Sequence, residues 1–215
     1  MDKKKYIIFG LDNSGKTSLA KLMSLFSYGE LKFSDTSELL FSNPAIPEEL
    51  REAAKQWQEN RKNSCFSKEQ QEGFRENLKQ VYSQYAFECL SFALQRSDIY
   101  AGLRDKKIVN SWSTSENYGN DYIFIHLRSS FRLACLAETE EERLSVFRQE
   151  ADYETWPCFY DVENEKSFFD FLYNSWSFVQ YLKEKGFWRE NLSLERKFLC
   201  WISWPFEIGL IYYGL

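Results

Sequence analysis

Residues 6–17 read Tyr6-Ile7-Ile8-Phe9-Gly10-Leu11-Asp12-Asn13-Ser14-Gly15-Lys16-Thr17. The first four are apolar or aromatic and end at a glycine, the signature of a short buried strand. Gly10 to Thr17 then fits G-x-x-x-x-G-K-[ST] at every fixed position. From Lys16 to Ser27 the residues Leu19, Leu22, Met23 and Phe26 share one helical face, and Tyr28-Gly29 closes the helix. A strand, a glycine-bounded loop and a helix thus follow one another without a gap. The spacing has a physical logic. Glycines let backbone N–H groups turn inward around phosphate oxygens. The helix N-terminus adds the positive end of a dipole. The lysine at the seventh of the eight positions reaches outer phosphates, and the next hydroxyl suits Mg²⁺.

Working outward, Leu31-Lys32-Phe33-Ser34 suits a second, short strand. Pro44 to Asn60 has helical spacing at Leu50, Ala54 and Trp57, with Pro47 near its start. Lys68 to Arg96 is a long helix candidate. Ile99 to Leu103 suits a third strand, and Ser111 to Asn120 is loop-like. Tyr122-Ile123-Phe124-Ile125-His126-Leu127 is the clearest strand of the chain. Glu138 to Glu150 is a polar helix, and Cys158 to Val162 a last short strand. Asn164 suits the N-cap of a helix that ends before Gly186. Strands alternate with helices throughout. This predicts a three-layer α/β domain, its parallel sheet of about five strands covered by helices on both faces.

Composition bounds the rest. The chain has 215 residues, 44% hydrophobic and 18% aromatic, with 27 basic and 32 acidic side chains and a net charge of −5. It is long enough for one full core. The negative balance disfavours a long nucleic acid as partner. That excess lies in one place: Glu138 to Glu154 holds seven acidic residues and two arginines. Five cysteines without a CxxC pair, and one histidine, argue against a zinc site and for reduced thiols in a cytoplasmic protein. The basic start is too short for a secretory signal. Phe198 to Leu215 is apolar, but Pro205 and Glu207 interrupt it, so a buried terminal element is expected rather than a membrane span.

Gly10 to Ser18 resembles the first motif of Arf-like small GTPases. It is also similar to the P-loop of thymidylate kinases, Glu-Gly-x-Asp-x-x-Gly-Lys-[Ser/Thr]. No Asp-x-x-Gly switch or Asn-Lys-x-Asp motif follows downstream, so nothing would select guanine. Three later stretches resemble phage-type deoxynucleoside monophosphate kinases. These are Ser97 to Arg104, Asn120 to Arg128, and Phe159 to Asn164. The resemblance to P-loop nucleotide kinases runs diffusely over about residues 5–185. It implies a kinase domain over 1–186, with an acceptor-binding helical insert at about 36–96 and a lid at about 128–152. Residues 187–215 form an aromatic extension beyond it. There are departures. Phe9 stands where thymidylate kinases have Glu, and their Asp-Arg-[Tyr/His] motif is missing. No carboxylate ends the Ile99–Leu103 strand.

The resemblance implies ATP and Mg²⁺ as cofactors and small nucleotides as substrates. Gly10, Asp12, Asn13, Ser14, Gly15, Lys16, Thr17 and Ser18 would hold ATP, with the Thr17 hydroxyl on the metal. Lys16, Asp35, Arg104, Arg128, Arg132 and Arg143 are the candidate catalytic side chains. Asp35 follows a strand near the acceptor, but Asp-Thr-Ser-Glu also suits a helix cap. Arg104 suits an acceptor phosphate, or a strand-end ion pair. The arginines after Leu127 suit a lid that neutralises a transferring phosphoryl group, or a solvated surface. Asp12 suits an acceptor sugar or a surface loop. His126 suits a core position. Tyr100 and Trp112 are weak base-stacking candidates.

The expected activity is transfer of the γ-phosphoryl group of ATP to a small phosphorylated acceptor, foremost a deoxynucleoside monophosphate. Two alternatives stay open. One is a P-loop kinase of another acceptor, such as a modified base in DNA, a nucleoside or a coenzyme precursor. The other is a nucleotide-binding regulatory protein with little turnover. The aromatic extension suits a homodimer seam better than a membrane anchor.

Overall fold

The computed structural model describes residues 4–33, 42–62, 73, 84–103, 106–113, 121–190 and 192–213. Asp35, Arg104, Cys65, most of the 68–96 helix candidate and the 114–120 loop lie outside them.

Four strands form one parallel sheet: β1 (Lys5–Phe9), β2 (Ile99–Leu103), β3 (Tyr122–Arg128) and β4 (Tyr160–Glu163), in the order β2-β1-β3-β4. Among the described residues the sheet has four strands rather than about five. Of the expected strand at 31–34, Phe33 forms a parallel bridge to Ile99, the first residue of β2, and Ser34 lies outside the described residues. Asp98 anchors this segment. Its carboxylate and backbone N–H hold the Lys32 N–H and carbonyl, and its other oxygen takes the Lys5 ammonium at 3.1 Å. These bonds fasten the chain beside the amino end of β2.

The central strands are buried on both faces, as continuous apolar runs in parallel sheets require. Side chains alternate between two cores. On one face Tyr6, Ile8, Ile123, Ile125 and Leu127 meet α1 (Lys16–Phe26) and α7 (Phe168–Glu184). All four helical positions read from the sequence, Leu19, Leu22, Met23 and Phe26, point into this core. On the other face Ile7, Phe9, Tyr100 and Phe124 meet α3 (Ala86–Arg96) and α4 (Lys106–Ser113). Two further helices, α5 (Ser130–Leu136) and α6 (Glu140–Tyr153), connect β3 to β4. The remaining two are α2 (Glu48–Lys62), after Pro47, and α8 (Leu194–Tyr213) at the end of the chain.

Helix boundaries follow local chemistry. Thr139 and Glu142 form a capping box at the start of α6, and Ser167 and Asp170 form another at the start of α7. The cap of α7 is therefore Ser167, not Asn164. The difference has a cause: the Asn164 amide is engaged elsewhere, as described below. α4 was not expected: Ser111 to Asn120 reads as loop, and no element was read between Lys106 and Asn110. Ile108 and Val109 bury its inner side and stabilise it through tertiary contact. The terminal segment is a helix as apolar as expected, but only one side of it is covered. Among the described residues no helix is long and apolar enough to cross a membrane.

Candidate functional site

The strand order reverses between β1 and β3. Loops leaving the carboxyl ends of these two strands diverge, and open parallel sheets place their ligand crevice at such a point. Residues 10–17 lie there. Gly10 leaves β1 at φ 141°, and a Cβ at this position would stand 2.5 Å from the Leu127 carbonyl oxygen of β3. Only glycine permits this approach. Asn13 (φ 61°) and Gly15 (φ 95°) are left-handed, while Ser14 between them is not. Backbone that alternates in hand turns successive N–H groups to one side and makes an anion-binding concavity.

The loop leads directly into α1. No side chain caps this helix, and its first turn has no acidic residue. Its own first turn therefore holds no carboxylate to neutralise its positive end. Lys16 is buried in the loop. Its ammonium donates to the Gly10 carbonyl at 2.9 Å, to the Leu11 carbonyl and to Ser14 Oγ at 3.5 Å. Thr17 is exposed, with Ser18 buried beside it. Asp12 is half-buried and the Asn13 side chain is exposed. These residue types suit a phosphate group, with one ammonium and a hydroxyl at the helix start, while within the loop the Ser14 N–H donates to the Leu11 carbonyl at 3.2 Å.

Two other loops brace this one. The Arg132 guanidinium, from α5, donates to the Asn13 carbonyl at 2.8 Å and to the Asn164 carbonyl at 3.3 Å. The Asn164 amide, at the end of β4, donates to the Ser14 carbonyl at 2.7 Å and is buried. Glu165 then accepts from the backbone N–H groups of Phe131 (2.7 Å) and Arg132 (3.3 Å) at the start of α5. Partial burial draws the Arg132 guanidinium below its ordinary pKa, and Glu165 opposes this. It remains a cation. The sequence pointed to Arg132 but not to Asn164 or Glu165. Their signal was position: they directly follow a strand on the crevice side of the sheet.

The other arginines are placed differently. Arg128, the last residue of β3, pairs with Glu154 at 3.0 Å. The Arg143 guanidinium donates to the Ala134 carbonyl at 3.3 Å, joining α6 to α5. The geometry thus brings Arg132 onto the loop, while Arg128 and Arg143 hold the 128–154 segment together. Tyr100 is buried in the core beside β1 and does not serve a base pocket. The Trp112 side chain lies outside the described residues.

His126 is a core residue, as expected, stacked on Phe9 at 5.2 Å. Its neighbours were not legible in the sequence. Its Nδ1 lies 3.1 Å from Asp161, and its Nε2 lies 3.3 Å from the buried carboxylate of Glu150. Glu150, on α6, is thus buried against β3. Among the described residues no group of acidic, cysteine and histidine side chains is arranged to hold a metal ion. The four described cysteines are all free. No protein-family model matches the chain, and neither curated proteins nor solved structures contain a significant match to it.

Proposed function

We propose that this chain is a P-loop phosphotransferase. It binds the phosphates of ATP with residues 10–18 and transfers the γ-phosphoryl group to a small phosphorylated acceptor, foremost a deoxynucleoside monophosphate. The observation that carries the reading is the loop at the sheet's reversal point, with Lys16 inside it and an uncapped helix behind it. The bridge from Phe33 to Ile99 supports a fifth strand position at the edge of the sheet.

In this reading the loop N–H groups and Lys16 bind and orient the phosphates, and the Thr17 hydroxyl is the protein ligand for Mg²⁺. The metal nucleotide supplies the transferable phosphoryl group and part of its charge neutralisation. Among the described residues Arg132 is an arginine that bonds to the loop, so it is assigned to the developing charge. Asp35 and Arg104 are assigned to the acceptor. Arg128 and Arg143 act in transfer only after exchanging their contacts with Glu154 and Ala134, as closure of a lid requires.

The test is Lys16→Ala with labelled ATP and a panel of deoxynucleoside monophosphates. The expected result is transfer by the wild type, loss of transfer in the variant and an unchanged circular dichroism spectrum. Full transfer by the folded variant refutes the site. A second reading, a nucleotide-binding regulatory protein, is favoured by one observation. β2 ends in Ala101-Gly102-Leu103 and carries no carboxylate for a metal. It predicts ATP binding without acceptor-stimulated turnover in the same assay.

A further inference from the structure

Among the described residues, α8 is covered on one side only. Trp204 stacks on Tyr28 at 5.4 Å and meets Phe26 edge-on at 5.3 Å, while Ile208 and Ile211 join the core. The opposite side is equally apolar and lies open. Phe198, Trp201, Ile202, Phe206 and Leu210 are each more than half exposed, Phe206 by 70%. A helix that is apolar all round belongs inside a core. The open surface continues onto α7. Tyr212 packs on Phe168 at 4.9 Å, and Phe168 adjoins the exposed Phe169.

We propose that the open face of α8 is the contact surface for a second copy of this chain, in an isologous dimer. Charge is the first reason. A two-fold axis sets a patch against itself, so any charge on it meets its own copy. Between Phe198 and Tyr213 the helix carries one charge, Glu207, which is exposed and lines the groove toward Lys21 and α1, at the edge of the open face where Leu210 also stands. Self-pairing therefore brings together one acidic group per chain at the rim and none in the middle of the patch. Area is the second reason. These five side chains together with the adjoining Tyr212 and Phe169 leave roughly 900 Å² uncovered per chain, at about 200 Å² for each whole side chain. A stable interface needs about 800 Å² per partner. The largest apolar patch of an ordinary monomer is about 300–600 Å².

A lipid surface fits less well. Helices that lie in a membrane interface carry lysines and arginines along the polar flank. Here Arg196 and Lys197 stand at the first turn alone, and Lys197 is already paired with Glu190.

The test is sedimentation equilibrium of the full chain and of the double variant Ile202→Glu/Phe206→Glu, at about 10 µM, where a micromolar Kd is readily seen. The wild type is expected at twice the chain mass of 25.7 kDa. The variant is expected at the single mass, with its helical circular dichroism kept. Should that variant lose its helical signal, Phe198→Glu gives the second measurement. Three results overturn the proposal: a wild type that stays at the single mass, a folded variant that stays dimeric, or a wild type that pellets with phosphatidylcholine–phosphatidylserine vesicles.

Discussion

Gly10→Ala tests the closeness of the loop to β3. The position combines two costs. Its φ of 141° lies where a side chain is strained, worth about 1–3 kcal/mol. The new Cβ also meets the Leu127 carbonyl oxygen at 2.5 Å, and that oxygen belongs to a central strand paired on both sides. The strand cannot yield without disturbing its ladder, so a further 1–3 kcal/mol, approximately, is expected from overpacking. The sum, about 2–6 kcal/mol, is a large part of the roughly 5–15 kcal/mol that holds an ordinary domain. For a chain of this size it lowers the Tm by roughly 4–24 °C. Gly29→Ala is the matched control. Gly29 is left-handed at φ 77°, but a Cβ there meets nothing within 4 Å. Conformational strain alone, about 1–2 kcal/mol, is expected. Thermal and urea unfolding of both variants, followed by circular dichroism, isolates the steric part as their difference. Equal destabilisation of the two refutes the contact between Gly10 and β3.

Two further outcomes follow from named bonds. Asn164→Ala removes the donor to the Ser14 carbonyl at 2.7 Å and leaves that buried oxygen unpaired, at about 1–3 kcal/mol. A lower urea midpoint together with weaker ATP binding is expected; an unchanged midpoint contradicts the brace. Glu190 accepts the ammonium groups of Lys183 and Lys197, which hold its carboxyl below the ordinary value of 4.5. A carboxylate that is a stronger acid when folded stabilises fully above its ordinary pKa. That contribution fades as pH falls through the lower folded value. The Tm gap between wild type and Glu190→Gln should thus be constant near neutrality and close below about pH 4. A gap that does not narrow in acid shows that the two ion pairs do not stabilise the fold.

Local residue patterns determined much of this molecule. β1, the 10–17 loop and α1 were legible because each depends on neighbours in the chain. An apolar run fills a strand, glycines permit the turn, and a four-residue stripe buries one helix face. His126 was legible as core for the same reason, lying in an apolar strand. Other features depend on residues far apart. Asn164 was expected to cap a helix by its local context, but Ser14, 150 positions away, takes its amide. α4 is stabilised by Ile108 and Val109 packing under the sheet, which its own composition does not announce. Arg132, Arg128 and Arg143 are chemically alike in the sequence. Only the approach of three loops at the reversal of strand order sets Arg132 against the Asn13 carbonyl and leaves the other two on Glu154 and Ala134. The apolar character of the terminal helix is likewise written in its residues. Which of its sides is open is decided by where α1 and Tyr28 already stand, because burial is a property of the packed surface and not of the segment.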